Sequence, residues 1–148
     1  MEEILKKINK ILEDKKDYLY VKEEIIVVYF MIGKYLDKKN YNAVYQVEDI
    51  LRKKYGLLIG FSRRNLNNII KFYSIYKNYD INIIKKISWN LHLIIMKQKN
   101  KDELLEYCLK YNLTKNDLNK IIKKGFDTKY ISHNVEKDIV TLEIMNLM

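Results

Sequence analysis

Proline is absent from these 148 residues, and glycine occurs only at Gly33, Gly56, Gly60 and Gly125. Few places therefore force the chain to break, and the composition is that of a mostly helical protein. Cysteine is reduced to Cys108, so no intrachain disulfide can form. No apolar run approaches the ~18 residues that a membrane span needs; the longest, Ile25 to Gly33, is about half that. The start, Met1-Glu2-Glu3, lacks the cationic end and apolar core of a signal peptide, so a cytoplasmic protein without membrane contact is expected. Arginine is scarce too, occurring only as Arg52, Arg63 and Arg64. The abundance of Lys, Ile, Asn and Tyr has the look of AT-rich codon bias, which discounts the lysines as a signal and raises the interest of the arginines.

Negative charge is missing where positive charge is dense. From Ile50 to Tyr79 there is no acidic residue, and from Ile50 to Lys101 there are 12 basic residues against Asp80 alone. The rest of the chain holds 16 basic and 18 acidic residues, so the formal charge of +9 is concentrated in the middle third. Such segregation points to a polyanionic partner, with nucleic acid first by prior and an anionic membrane or acidic protein surface behind it.

The length fits one domain, and 48% hydrophobic residues suffice for a core. Helical spacing is read in Ile4, Leu5, Ile8, Ile11 and Leu12, closed by the charged run Glu13 to Asp17. A second helix, about Tyr20 to Lys38, carries Ile25, Val28, Tyr29, Ile32, Tyr35 and Leu36 on one stripe. Its centre is apolar almost all round, so it is expected as a central buried helix although Ile25 to Val28 could also suit a strand. Val44, Val47, Leu51 and Tyr55 mark a third helix, ended by Gly56 with Lys53 and Lys54 in its last turn. Ser62 is a good N-cap for a fourth helix with Leu66, Ile69, Ile70, Tyr73 and Tyr76 on its apolar face. Beyond an apolar turn at Ile81 to Ile87, Ser88 caps a helix running to Lys97. Asn100 with Glu103 and Thr114 with Asp117 start two more, and Gly125 ends the last. The expected fold is all-α, a compact multi-helix domain over residues 1–127 with a helix-turn-helix-like centre. Residues 128–148 read as a polar linker and an apolar tail of Ile139, Leu142, Ile144, Met145 and Leu147, through which a homodimer is conceivable.

On the fourth helix the face opposite the apolar stripe is Arg64, Asn68, Lys71 and Ile75, with Asn65 and Asn67 on its shoulders and Arg63 in the first turn. A recognition helix needs this set: arginine pairs with guanine, asparagine with adenine, and lysine holds phosphate. Lys53 and Lys54, at the end of the preceding helix, are the expected phosphate anchors. A solvated face without function is the bland alternative, but such a face normally mixes both signs of charge. Tyr55 to Phe61 is a longer connection than the three to four residues of a tight helix-turn-helix.

Other chemistry is poorly supported. His92 and His133 lack a Cys or carboxylate at metal-ligand spacing, so neither metal nor cofactor is expected. Cys108 lies on an apolar stripe, where a buried inert thiol is the better reading. Trp89 and the tyrosines at helical spacing read as core, Ser88 as a cap, and Gly56 with Gly60 lack the Lys-Ser/Thr of a phosphate loop.

The order Tyr29-Phe30-x-Ile32-Gly33-Lys34, Gly60-Phe61-Ser62-x-x-Asn65-Leu66, Lys71-Phe72-Tyr73 and Ile87-Ser88-Trp89 resembles the N-terminal domain of the YhcG-like bacterial proteins, from about Val21 to Asp127. The resemblance implies a helical, DNA-binding domain that full-length members join to a C-terminal PD-(D/E)XK nuclease domain. The family tends to have Trp where Phe30 stands, a His where Leu91 stands, and Trp-Ser where Leu113-Thr114 stands, so no role of that His passes to His92. These 148 residues leave no room for the nuclease domain. Nor is there an Asp followed by Glu-x-Lys to hold Mg²⁺ and a water; Glu24, Glu106 and Glu136 lack the lysine. The expectation is a non-catalytic module that binds nucleic acid, double-stranded DNA first. A second reading is a protein-binding inhibitor or decoy from a mobile element, acting on a defence nuclease or other nucleic-acid-binding partner.

Overall fold

The structure is a computed structural model that describes residues 2–18, 21–36, 41–55 and 60–132. Among them are eight α-helices and no strand, so the fold is all-α. The helices fall into two compact units that divide between Lys77 and Asn78, inside the stretch expected as one domain.

The first unit contains α1 (Glu2–Asp14), α2 (Lys22–Leu36), α3 (Tyr41–Tyr55) and α4 (Arg63–Tyr76). Helix α1 is strongly amphipathic and buries Ile4, Ile8, Ile11 and Leu12, a repeat that keeps one stripe facing inward. Helix α2 is the hub: Ile26, Val28, Tyr29, Ile32 and Leu36 are buried, and it packs on both α1 and α4. Its β-branched run is helical because the inward stripe continues for another two turns, longer than a strand would sustain. Gly33 sets the closeness of α2 and α4. A Cβ there would stand 2.7 Å from the Ile69 carbonyl and 2.8 Å from Tyr73 Cβ. Helix α3 contributes Val44, Val47 and Leu51 and lies against α4. It ends with Arg52, Lys53 and Lys54 in its last turn, as the sequence predicts, while Gly56 lies outside the described residues.

The second unit holds α5 (Ile81–Ile84), α6 (Trp89–Ile95), α7 (Lys101–Lys110) and α8 (Lys115–Lys124). The segment expected as an apolar turn thus contains one helical turn, started by Asp80, whose carboxylate accepts from the Asn82 N–H at 3.0 Å. Ser88 caps α6. That helix closes at Ile95 rather than Lys97 because the next amides, of Lys97 and Gln98, bond three residues back and tighten the chain. Helix α6 packs on α7 and α8 around Ile95, Leu104, Leu105 and Leu118, all fully buried. Asn100 occupies the cap position of α7 but makes no side-chain bond, because its backbone (φ −92°, ψ 53°) lies outside the extended region a capping side chain needs. Thr114 and Asp117 form the complete capping box of α8. Gly125 ends α8 at φ 117°, where a side chain would be strained.

Residues 128–132, placed at the head of the linker by the sequence, are folded onto this unit. Thr128–Tyr130 form a 3-10 turn, Ile131 is buried, and Ser132 donates to Asp117 from its amide at 3.2 Å and its hydroxyl at 3.0 Å. Burial opposes the Asp117 charge, but hydrogen bonds from Thr114 and Ser132 outweigh it and hold the carboxyl below its ordinary range. The apolar tail from Ile139 to Leu147 lies outside the described residues. Among those described, no helix is long and apolar enough to cross a membrane.

Candidate nucleic-acid interface

The turn that launches α4 is built from residues 31 positions and more apart. Gly60 adopts φ 104°, and a Cβ there would collide with the Tyr29 hydroxyl on α2, so glycine is required for both conformation and space. Asn65 ties the turn: its Nδ2 donates to the Gly60 carbonyl at 2.7 Å, and its side chain shares a hydrogen bond with the Tyr29 hydroxyl. Burial raises the pKa of that hydroxyl, and the Asn65 bond offsets part of the rise. Phe61 is buried edge-on against Tyr29, with centroids 6.4 Å apart. Ser62, extended at φ −67° and ψ 155°, accepts from the Asn65 N–H at 3.2 Å, and Leu66 enters the core. The turn therefore uses five of the seven side-chain positions from Gly60 to Leu66. The two it leaves in solvent are Arg63 and Arg64.

The inward side of α4 is Leu66, Ile69, Phe72 and Tyr76, all buried, whereas Ile70 and Tyr73 are only half-buried. Phe72 stands outside the stripe expected from apolar spacing. The observed set turns the buried face by roughly 40° at 3.6 residues per turn. The reason is aromatic packing: Phe72 meets Phe30 of α2 at 6.2 Å and Tyr76 at 5.1 Å, drawing that side of α4 inward. The exposed arc consists of Arg63, Arg64, Lys71 and Ser74, with half-buried Asn67 inside it. Asn68 and Ile75 fall on its half-buried shoulder. Asn65, expected on a shoulder, is the staple of the turn.

The window that is acid-free in sequence is not acid-free in space. Glu48, on α3 just before that window, accepts from the backbone N–H of Arg63 and lies 3.6 Å from Arg52 Nη2. The guanidinium of Arg63 sits 4.5 Å from the ring centre of Tyr45, a residue 52% exposed. Lys53 pairs with Asp49 at 3.0 Å and Lys54 with Glu13 at 3.8 Å, so both expected phosphate anchors have carboxylate partners. These pairs are exposed and worth about 0–1 kcal/mol, weak enough to exchange for phosphate. Among the described residues, neither Arg64 nor Lys71 has a carboxylate partner. Tyr45 and Glu48 are the residues that sequence reasoning missed. The i,i+4 spacing of Glu48 to Arg52 and Asp49 to Lys53 was the available signal.

The remaining lysines of the window, Lys85 to Lys101, belong to the second unit. There His92 is fully buried, and its Nε2–H donates to the Ile84 carbonyl at 2.9 Å. Cys108 is buried and in no disulfide. Among the described residues, no three His, Cys, Asp or Glu side chains gather as a metal site. His133 lies outside them.

No curated protein and no solved structure matches the chain. A family model does: the DUF1016 N-terminal domain matches residues 4–129, spanning both units and carrying the turn at Gly60 and the capping box of α8. The chain therefore belongs to the DUF1016 N-terminal domain family, the amino-terminal domain of the YhcG/DUF1016 proteins.

Proposed function

We propose that this chain binds nucleic acid, duplex DNA in the first instance, through the exposed arc of α4, and that these residues do not themselves cleave it. The observation that carries the reading is the use of the Gly60 to Leu66 stretch. Five of its residues build and cap the turn, and the two left over are arginines, followed one helical face later by Lys71. Arginine at the first turn of a helix can present its planar fork to base edges or phosphate, and a helix without carboxylates adds no repulsion of its own. Tyr45 extends the surface with an aromatic ring already carrying Arg63. Lys53 and Lys54 flank it as exchangeable cations, whereas Asn65 is committed to the turn. Asn67 and Asn68 contribute at the edges.

The proposal that these residues do not cleave rests on the sequence rather than on the fold: its one Glu-x-Lys, Glu13-Asp14-Lys15, has no Asp before it to complete a metal-binding pair. Two measurements test the reading. Fluorescence anisotropy with a labelled duplex should show binding that a joint Arg63→Ala, Arg64→Ala change weakens at least tenfold with the helical signal intact. Plasmid incubated with Mg²⁺ or Mn²⁺ should stay uncut. Equal binding by the double variant, or cleavage abolished by one carboxylate substitution, would overturn the respective half.

One observation favours a protein partner instead. Tyr45 and Arg63 are stacked and exposed, and tyrosine and arginine are the residue types that anchor protein interfaces. This inhibitor or decoy reading is separated by capture from native extract after nuclease treatment. Recovery of one nucleic-acid-binding protein at fixed stoichiometry favours it.

A further inference from the structure

The second unit carries a surface of opposite character to α4. Phe126, immediately after the glycine that ends α8, is 44% exposed, an unusual position for a phenylalanine. Its ring stands edge-on to Tyr107 of α7 with centroids 5.1 Å apart, and Tyr107 in turn meets Tyr111 at 4.9 Å. The cleft that Phe126 and Tyr107 line has a volume of about 240 Å³ and is completed by Glu103, Glu106 and Lys110. Positions 103, 106, 107 and 110 recur at helical spacing and so present two carboxylates and an aromatic ring along one face of α7. Among the described residues, neither Glu103 nor Glu106 forms an ion pair. Lys110 places its ammonium 5.5 Å from the Tyr111 ring centre, and the lining charge is −1.

We propose that this cleft receives the arginine side chain of a partner protein. The chemistry selects the charge: aromatic faces and carboxylates both attract a cation, and the carboxylates repel phosphate, so the cleft is not an extension of a nucleic-acid surface. The volume selects the size, since drug-sized ligands occupy roughly 300–1,000 Å³ while this space suits one long side chain. The shape of the group selects arginine over lysine. A planar guanidinium stacks on a ring and meets a carboxylate with two parallel hydrogen bonds, which a point-charge ammonium cannot do. The complementarity is therefore to a basic protein surface, and it stands independently of what α4 binds.

The test titrates the full chain, followed by NMR, with the peptide acetyl-Gly-Arg-Gly-amide and with its citrulline counterpart, which has the same shape but no charge. Saturable shifts in the millimolar range at Tyr107 and Phe126 are expected for the arginine peptide. Citrulline should bind at least tenfold more weakly. A joint Glu103→Gln, Glu106→Gln change, on two exposed side chains that the core does not use, should weaken the arginine peptide by a similar factor with the thermal midpoint retained. Phe126→Ala gives a second, independent loss. Equal shifts from the citrulline peptide overturn the proposal. So do shifts confined to other residues, the absence of saturable shifts up to ~100 mM, or full binding by the double glutamine variant.

Discussion

Replacing His92 by glutamine should change how stability depends on pH more than how the protein looks. The imidazole is fully buried on α6, and burial pushes its pKa down from 6.5 to about 4, while the bond to the Ile84 carbonyl offsets part of that fall. Between those two pH values the unfolded chain binds a proton that the folded chain refuses. Stability from this group is therefore fully present above pH 6.5 and is lost as pH falls toward 4. At about 1.4 kcal/mol per pH unit, the whole gap amounts to about 3 kcal/mol, of which about 2.5 kcal/mol should be gone by pH ~4.5. Trp89, the only tryptophan, lies one turn before His92 and reports the unfolding of this unit by fluorescence in urea. Carboxylates titrate in the same range, so the decisive quantity is the difference between the parent and His92→Gln at each pH. That difference should shift against the parent below pH ~6.5, at a slope approaching one proton. A difference that stays constant within about 0.5 kcal/mol from pH ~7 to ~4.5 would show that His92 is not held neutral by its burial.

Three further outcomes follow from the packing. Gly33→Ala gains up to about 1 kcal/mol in helix propensity but drives a methyl into the Ile69 carbonyl and Tyr73, for a net loss of about 1–3 kcal/mol in urea unfolding of the first unit. Asp117→Asn keeps the size but weakens three hydrogen bonds made to a carboxylate, so the second unit should lose about 1–2 kcal/mol near neutral pH. Because the Asp117 pKa is depressed, that penalty should shrink as pH falls below about 3.8, which urea melts across the acid range will show. Glu48→Gln removes the charge that neutralises Arg52 beside α4; duplex affinity should rise severalfold, with the salt slope steeper by about 0.9, while stability falls by no more than about 1 kcal/mol.

The helix starts were legible where the signal is local. Ser62, Ser88 and the Thr114 to Asp117 box lie within three residues of the amides they bond, so residue type and spacing suffice. The all-α fold followed from periodicity and the lack of proline. The orientation of α4 was less accessible, because a helical wheel weights residues by apolarity alone. Phe72 and Tyr76 are drawn inward by contacts with Phe30 and with each other. Asn65 illustrates the same limit at a single residue. On the wheel it is a polar shoulder residue fit to meet adenine, yet Tyr29, distant in sequence, brings the Gly60 turn within its reach. The carboxylates that pair with Arg52 and Lys53 lie one turn before those residues, just outside the acid-free window that starts at Ile50.

In the proposed function, the turn at Gly60 and the helix it launches present Arg63, Arg64 and Lys71 to a polyanion. The most direct measurement is the salt dependence of binding to a duplex by the parent and by a joint Arg63→Ala, Arg64→Ala, Lys71→Ala variant. Three phosphate contacts predict a slope of log affinity against log salt of about −2.7, and the variant should lose most of it while keeping its helical content. Binding that ignores salt, or a slope that survives the triple substitution, would rule out this surface as the polyanion site.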